Sequence, residues 1–343
     1  MKALFIGLGS VGQRHLQNFI ELRPENSTVL AYRSSKTDNV IVKAQIVPDQ
    51  KISEFYNLIE FTDLDKALSQ NPDVAFICNP NSLHLKTALK IAENNIHFFI
   101  EKPIGVNSFG IKQLEDITNK NNLISMVGYQ TRFNPVVIEA RNRIASMKYG
   151  EVVSASYKWC TFLPDHHTYE DYRNSYAARE DLGGGVIFCL IHELDLIQWF
   201  FNYPLSVYAV RGGVSNLELN VEDNIFAIIK CKVENNVFPA SLHLSFSQKC
   251  EERYFDILLQ DGHIRCDLLS NEIIINSNDY ANYQKKYEGF SRNDLFKLEM
   301  EEFIRAVEYN NKTIIPISEG IKSLNIAIAL HQSLRDQGHI SLS

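Results

Sequence analysis

Short apolar runs alternate with amphipathic segments over the first part of the chain. The runs are continuous rather than alternating, which is typical of strands buried on both faces of a parallel sheet. They occupy residues 3–6, 29–32, 74–78, 97–100 and 124–127. Helical spacing, with plausible caps and stops, covers residues 10–22, 62–70 and 82–94. These strand–helix–strand units predict an α/β domain with a doubly wound parallel sheet over residues 1–125.

The pattern changes further along the chain to longer strand-like runs. They occupy residues 152–160, 207–214, 224–233, 237–247, 254–260 and 273–276. Turn residues at 234–236 and 261–262 indicate antiparallel hairpins, and helical patterns cover 294–310 and 318–336. We therefore expect residues 126–343 to form an α+β domain with a large open, mainly antiparallel sheet and helices packed on one face.

Composition narrows the class of protein. Hydrophobic residues make up 45% and charged residues 22% of the chain, as in folded globular proteins. The net charge of −7 gives no field that attracts nucleic acid or an anionic membrane. The apolar stretch 186–200 is too short to span a membrane and is interrupted by His192, Glu193 and Asp195. The six cysteines are scattered without a Cys-x-x-Cys pair, which predicts reduced thiols. Residues 1–6 run straight into a glycine motif without an apolar signal region, which predicts a cytoplasmic protein.

A Gly7-x-Gly9-x-x-Gly12 motif lies between the first predicted strand and helix. There the first glycine makes a tight turn, the second lets the backbone approach a pyrophosphate, and the third allows close helix packing. The helix N-terminus, with Ser10 and Val11, offers free N–H groups to the anion. The motif predicts a Rossmann dinucleotide site; the alternative is a glycine-rich turn that binds nothing.

The end of the second strand bears on the choice between NAD and NADP. NAD sites usually carry an acidic residue there, whereas this chain has Arg33-Ser34-Ser35. An arginine with two hydroxyls suits a 2′-phosphate, and the segment has no carboxylate to repel it, so NADP is favoured. The alternative is a surface Arg33 that stacks on adenine in an enzyme that accepts NAD.

A second signal, Glu101-Lys102-Pro103, directly follows the strand at 97–100. Doubly wound sheets bind ligands at the carboxyl ends of their strands, so Lys102 is placed for chemistry. A solvated surface lysine is the alternative.

Five motifs occur in order along nearly the whole chain. They are Gly7 to His15, Asn79-Pro80-Asn81-Ser82-Leu83-His84, Glu101-Lys102-Pro103, Gly128 to Pro135, and Gly183-Gly184-Gly185 followed by His192-Glu193-Leu194-Asp195. Together they resemble the Gfo/Idh/MocA family of glucose–fructose oxidoreductase, inositol dehydrogenase and rhizopine catabolism proteins. The resemblance implies an NAD(P)-dependent oxidoreductase that acts on a sugar, cyclitol or nucleotide-sugar hydroxyl or ketone, as a homodimer or homotetramer.

The resemblance also implies roles for individual residues. Lys102 would lie beside the nicotinamide and the reacting oxygen, where its charge stabilises a developing alkoxide. His192 is a candidate general acid or base. The remaining expected cofactor contacts are Asn79, Pro80, His84 and Glu101, and the expected substrate contacts include Gln130, Arg132 and Cys189.

Residues 162–176 are similar to family members from bacterial surface-polysaccharide and sialic-acid-like sugar pathways. We expect substrate contacts here: Arg173 to pair with a carboxylate or phosphate, and Tyr172 and Tyr176 to bond hydroxyls or stack on a sugar. The alternative is a structural loop whose aromatic residues pack beneath it.

The chain departs from the family before His192. Many members carry a carboxylate three or four positions earlier, where this chain has Cys189 and Phe188. Three interpretations stay open: Lys102 and His192 suffice, Asp195 or another residue orients His192, or the chemistry is altered or lost. A buried structural His192 is a further alternative.

No metal is predicted, because neither Asp165-His166-His167 nor His192-Glu193-Leu194-Asp195 has the spacing of a ligand set. The leading hypothesis is an NADP-preferring sugar dehydrogenase or ketoreductase. The rivals are a non-catalytic nucleotide-binding sensor or partner subunit, and a reductase of a non-sugar carbonyl or imine.

Overall fold

The structure, a computed structural model, describes residues 1–34, 39–42, 45–166, 169–213 and 215–342. Within these residues the chain forms a six-stranded parallel sheet and a nine-stranded, mainly antiparallel sheet, each covered by helices. The predicted fold class is therefore confirmed.

The parallel sheet occupies the first part of the chain. In chain order its elements are β1 (Lys2–Ile6), α1 (Ser10–Leu22), β2 (Thr28–Tyr32), β3 (Val40–Val42), β4 (Gln45–Val47), α2 (Ile52–Phe55), β5 (Ile59–Phe61), α3 (Leu64–Leu68), β6 (Val74–Ile77), α4 (Asn81–Glu93), β7 (His97–Ile100), α5 (Ile111–Lys120) and β8 (Ser125–Val127). The strand order is β5-β2-β1-β6-β7-β8, and β3 and β4 form a separate antiparallel pair.

The five predicted strands of this sheet are confirmed. Strands β1, β6 and β7 occupy its centre, where helices cover both faces, and their side chains are almost entirely buried. Burial on both faces explains the continuous apolar runs. The sequence missed β5, because this three-residue edge strand has an exposed Ile59 and lacks an apolar run.

The second sheet contains most of the remaining chain. After α6 (Pro135–Ala145), its part of the chain runs β9 (Val152–Phe162), α7 (Val186–Cys189), α8 (His192–Phe201), β10 (Ser206–Arg211), β11 (Asn224–Val233), β12 (Asn236–Ser245), β13 (Ser247–Leu259), β14 (Gly262–Asp267), β15 (Glu272–Asn276), β16 (Tyr283–Lys286), α9 (Arg292–Glu308), α10 (Ile317–Asp336) and β17 (Ile340–Ser341). The strand order is β16-β15-β14-β13-β9-β12-β11-β10-β17.

Both predicted hairpins are present, β11–β12 and β13–β14. Strand β9 lies between β12 and β13, which run in opposite directions. It is therefore parallel to β12 and antiparallel to β13. Helices α8 and α10 pack on the inner face of the sheet, while Phe226 and Ile228 stand exposed on its outer face.

Helix α9 lies in the later part of the sequence but packs on the first sheet's layer. The Phe303 ring is 5.5 Å from Phe76 and 5.9 Å from Phe99, and Lys297 pairs with Glu21 of α1 at 2.5 Å. The division into domains of residues 1–125 and 126–343 remains a prediction. Helix α9 belongs to the second range by sequence but packs against the first.

Among the described residues, no single helix combines the length and apolar composition needed to cross a membrane. The bent pair Glu180–Cys189 and His192–Phe201 meets those two criteria only when its two segments are joined.

Candidate active site

Three glycines shape the turn between β1 and α1. Gly7 has a φ of +89°, and a Cβ there would lie 2.7 Å from the backbone that follows β6; a Cβ on Gly12 would lie 2.1 Å from Gly7 O. No described atom is within 4 Å of a Cβ built on Gly9. The first turn of α1, with Ser10 and Val11, contains no acidic residue and no side-chain cap from the described residues. The open space and the N–H groups fit a dinucleotide pyrophosphate.

Arg33 lies at the end of β2, but its surroundings differ from the expectation. Its Nη1 donates to Glu60 Oε1 at 2.9 Å, and the arginine is largely buried. The segment itself has no carboxylate, as its sequence shows, but the neighbouring strand β5 brings the Glu60 carboxylate to Arg33. β5 pairs with β2 in register Ala31↔Glu60, which is invisible in the local sequence. Ser34 is exposed, and Ser35 lies outside the described residues.

Asn79 and Pro80 follow β6 at the carboxyl end of the sheet. Asn79 Nδ2 donates to Thr87 Oγ1 at 2.9 Å, while Asn79 Oδ1 is buried without a partner among the described residues. His84 contacts two carbonyl oxygens, Pro103 O at 2.5 Å and Asn79 O at 2.7 Å. Thus His84 ties two loops together, and Asn79 Oδ1 is an acceptor for a bound donor.

Glu101 is a buried carboxylate behind the candidate lysine. His15 Nε2 donates to Glu101 Oε1 at 2.6 Å, and the Lys102 backbone N–H donates to Glu101 Oε2 at 3.1 Å. Burial raises the pKa of Glu101, but the bond and charge of His15 and the charge of Lys102 lower it, and the net shift is downward. A Cβ on Gly128 would lie 3.2 Å from this carboxylate. Glu101 thus orients the Lys102 backbone.

The Lys102 amine bridges the two parts of the molecule. Its Nζ donates to Cys189 O at 2.7 Å. Burial lowers the pKa of Lys102; Cys189 and Glu101 oppose the shift, and the positive charges of Arg292 and Arg253 add to it. A lysine with a lowered pKa at the carboxyl end of β7 is suited to proton exchange.

His192 begins α8 and is buried beside Tyr129 and Trp159, at ring distances of 5.7 and 6.0 Å. Its Nδ1 has no partner among the described residues. Burial lowers the pKa of His192 far below its usual range, and the charge of Lys102 adds to this shift. His192 is therefore a neutral imidazole with an open nitrogen. Gln130 is buried in the short helical turn directly after Tyr129.

Asp195 does not orient His192, because other groups occupy its carboxylate. Arg132 Nε and Nη2 donate to it, both at 2.7 Å, and Ser323 and Gln198 donate at 3.1 and 3.2 Å. Arg132 also pairs with Glu319 at 2.9 Å. Arg132 is therefore committed to a buried structural ion pair, contrary to its expected place among substrate contacts.

The loop after β9 places its three expected substrate contacts differently. Tyr176 and Cys189 influence each other's pKa, and the carbonyl oxygen of Cys189 accepts from Lys102 Nζ. Arg173 pairs with Asp171 and Glu218 at 3.0 and 2.8 Å and is exposed. The Tyr172 hydroxyl accepts from Glu218 N at 3.3 Å. Arg173 and Tyr172 thus stabilise the loop through Glu218. Of the three residues, only Tyr176 interacts with Cys189, the residue that accepts the Lys102 hydrogen bond.

Within the described residues, no group of three or more His, Cys, Asp and Glu side chains is arranged to hold a metal. His166 instead contacts Thr161 Oγ1 at 3.0 Å, and His167 lies outside the described residues.

Family comparison agrees with this geometry. Residues 1–129 match the model of an oxidoreductase family with an NAD-binding Rossmann fold, GFO_IDH_MocA, and residues 137–265 match the C-terminal domain of the same family. The chain belongs to the Gfo/Idh/MocA family. Its first domain is thus an NAD-binding Rossmann domain, as the glycine turn predicted.

Two curated Gfo/Idh/MocA relatives illustrate the range of the similarity. One is a Bacillus subtilis scyllo-inositol 2-dehydrogenase (NAD(+)), 23% identical over 63% of this chain and 58% of the relative. The other is an Escherichia coli 2,7-anhydro-N-acetylneuraminate hydratase, 24% identical over 77% of this chain and 66% of the relative. The chain spans less than two thirds of the length of both relatives.

A solved levoglucosan dehydrogenase, in complex with NADH and levoglucosan, has the same fold across the full length. It superposes with a TM-score of 0.82 at 15% identity and covers 100% of this chain and 99% of that one. The likeness shows that this Gfo/Idh/MocA chain has the fold of that structure.

Three arginines of this Gfo/Idh/MocA chain were not predicted as site residues: Arg253 and Arg292, which act on Lys102 and His192, and Arg14, which acts on Glu101. Arg253 lies on β13 and donates to Glu193 Oε1 at 2.8 Å, while Arg14 lies on α1 and Arg292 begins α9. The charges of Arg253 and Arg292 act on both Lys102 and His192. They come from separate elements, and a single sequence carries no signal that brings them together.

Proposed function

We propose that this protein is an NAD(P)-dependent oxidoreductase that transfers a hydride between nicotinamide and a hydroxyl or ketone carbon of a sugar or nucleotide sugar. The observation that carries the proposal is the Lys102 amine. It lies at the carboxyl end of a parallel strand, is hydrogen-bonded across the domains to Cys189 O at 2.7 Å, and has a pKa lowered by burial. Few structural lysines combine these properties.

The chain's own residues would manage the hydroxyl proton. Bound nicotinamide supplies the hydride acceptor or donor. Lys102 Nζ exchanges its bond to Cys189 O for one to the reacting oxygen and stabilises the developing alkoxide. His192, a neutral imidazole, offers a nitrogen that takes the proton during oxidation and returns it during reduction.

Cys189 does not replace the missing family carboxylate as a base. Burial raises the pKa of its thiol to about 12, and burial also raises the pKa of Tyr176. Both groups therefore stay protonated near neutral pH and serve as donors or weak acceptors. Of the interpretations left open by the sequence, we adopt the one in which Lys102 and His192 suffice.

The pathway proposal is bacterial surface-glycan or sialic-acid-like sugar metabolism in the cytoplasm. Its support is the similarity of residues 162–176 to family members of those pathways, together with the match to an anhydro-sialic acid hydratase over 77% of this chain. The cytoplasmic location remains a prediction from the sequence.

The proposed partner is a second copy of the chain. The outer face of the large sheet exposes apolar side chains of adjacent strands, Tyr208 and Val210 on β10 and Phe226 and Ile228 on β11. A contiguous apolar sheet face of this kind is typical of a two-fold interface, and the proposal is a homodimer or homotetramer built on it.

The test is absorbance at the reduced-nicotinamide band with NAD or NADP and a panel of free, nucleotide-linked and sialic-acid-type sugars. Lys102→Met should lower kcat by about a thousandfold or more while cofactor affinity stays within about threefold, because the amine acts on the reacting oxygen. Lys112→Met is the matched control, since Lys112 is 79% exposed on α5.

Turnover retained in Lys102→Met would refute the role of the amine. A protein that binds the cofactor but turns over no sugar would instead favour the non-catalytic sensor. The observation behind that second candidate is the thiol of Cys189 at a position where many members of the family carry a carboxylate.

A further inference from the structure

Two arginines, the partly buried Arg14 of α1 and the exposed Arg292 at the start of α9, have no hydrogen-bond or ion-pair partner within the described part of the chain. The Arg14 guanidinium lies 4.8 Å over the Phe296 ring, and Arg292 precedes Phe296 by one helical turn of α9. Asn293 Nδ2 donates to Asn18 Oδ1 at 3.0 Å and holds this end of α9 against α1. Both arginines therefore lie near Phe296, in the part of the molecule where α9 begins.

A third cation lies across the cleft. The Arg253 guanidinium stacks 3.7 Å over the Trp159 ring and donates to Glu193 Oε1 at 2.8 Å and to Thr131 Oγ1 at 3.1 Å. Trp159 lies beside His192 at a ring distance of 6.0 Å. Arg253 is thus fixed and its charge is partly matched by Glu193, whereas Arg14 and Arg292 keep their donors free.

These charges act on one another and on the reacting groups. Desolvation and the charges of Arg14 and Arg253 lower the pKa of Arg292, whereas Glu251 and Tyr176 oppose the shift. Arg292 in turn acts on Lys102 and His192. Like charges held together repel, and an anion bound among them removes that repulsion. The net charge of the chain is −7, so this cluster of arginines is a local positive region in an acidic protein.

We propose that Arg292, assisted by Arg14, binds an anionic group of the substrate, a carboxylate or a phosphate remote from the reacting carbon. This inference rests on the proposed function, because it names the substrate class of the same site. Arg173, the sequence candidate for this role, is committed to Asp171 and Glu218. The open space at Gly9 and the start of α1 already fit the cofactor pyrophosphate.

The experiment measures binding to the protein–NADH complex without turnover, by calorimetry, for glucose 6-phosphate, glucuronate and glucose. Wild-type protein should bind at least one of the two anions at least tenfold more tightly than glucose, and the two arms separate phosphate from carboxylate. Arg292→Gln should remove this preference, and Arg292→Lys should retain part of it, because lysine keeps the charge without the planar fork. Arg305→Gln is the matched control, a 70% exposed arginine on the same helix.

Equal affinity for all three sugars, or a preference that persists in Arg292→Gln, would overturn the proposal. An equal loss of NADH affinity in Arg292→Gln would also overturn it, by assigning Arg292 to the cofactor phosphates. Failure of the proposed function can be distinguished from failure of this inference, because binding is measured without turnover. Lys102→Met should keep the preference for anions. A wild-type protein that prefers anions but turns over no sugar would contradict the oxidoreductase proposal and leave the anion site in place.

Discussion

At the scale of single residues, adjacency in sequence separates what could be predicted from what could not. Glu101 and Lys102 form a contiguous motif, and they lie together at the end of β7. Arg132 was predicted as a substrate contact but pairs with Asp195 and Glu319. These partners lie 63 and 187 residues away, so the local sequence gives no sign of them. A single sequence shows that a charge exists but not whether another charge already holds it.

Glu60 is expected to set the choice of cofactor, because its carboxylate holds Arg33 at 2.9 Å. A 2′-phosphate would have to displace this carboxylate and remain near its charge. Glu60→Gln should therefore tighten NADP binding relative to NAD by about three- to tenfold, the effect of roughly 1 kcal/mol at a partly exposed pair. Fluorescence titration of both reduced cofactors measures the ratio. An unchanged ratio in Glu60→Gln, with Glu54→Gln as exposed control, would contradict the role.

Glu299 should make stability depend on pH. It is fully buried on α9, and both carboxyl oxygens are without partners among the described residues. Burial raises the pKa of Glu299 well above the usual 4.5, and the charge of Glu101 adds to the shift. The folded chain thus binds a proton that the unfolded chain releases above about pH 4.5, so stability falls with rising pH by up to about 1.4 kcal/mol per pH unit until the folded pKa is reached.

Glu299→Gln keeps the shape and removes this proton. Its free energy of unfolding should exceed that of the wild type by an amount that grows from pH 5 to pH 8, as measured by urea denaturation. Glu301→Gln, at an exposed position two residues away on α9, should follow the wild type. Parallel curves for Glu299→Gln and wild type would show that Glu299 ionises normally in the fold.

At the scale of elements, the hydrophobic pattern predicted the strands that are buried on one face or on both faces. The alternation along β11 and the continuous run of β6 reflect one and two covered faces, so both strands were found. Edge strands were not predicted. For example, β16, with the sequence Tyr-Gln-Lys-Lys, is mostly exposed and has no apolar run. The packing of α9 on the first domain was also missed, because periodicity identifies an apolar helix face but not the surface that covers it.

The β1–α1 turn offers a matched pair of substitutions. A Cβ at Gly12 would lie 2.1 Å from Gly7 O, so Gly12→Ala should destabilise the cofactor-free protein by about 3 kcal/mol. Gly9 has a φ of −71° that alanine accepts, and its Cβ would meet open space. Gly9→Ala should therefore leave thermal unfolding unchanged and weaken NADH binding by about tenfold or more, since the methyl group occupies the pyrophosphate space. Comparable effects on stability for both variants would contradict this assignment.

At the scale of the whole molecule, two sheets of different class meet at one cleft. Lys102 of the first domain bonds the backbone of Cys189 in the second, and Asn81 Nδ2 donates to Gly183 O at 2.8 Å. The sequence indicated both classes of sheet through their different periodicities. It carried no measure of how the sheets are joined, because the residues of these two contacts lie 87 and 102 positions apart in the chain.

The outer face of the large sheet is expected to pair two copies of the chain. Ile228 is 50% exposed at the middle of β11, between Tyr208 of β10 and Ser241 of β12. If two copies pair through this face, Ile228→Glu places two charges in an apolar interface without partners, which costs several kcal/mol per dimer. Sedimentation equilibrium at micromolar concentration should show an oligomeric wild type and a folded, monomeric Ile228→Glu. Ile314→Glu, at a 54% exposed position away from the sheet, should stay oligomeric. A monomeric wild type, or an Ile228→Glu variant with unchanged mass, would place the interface elsewhere or remove it.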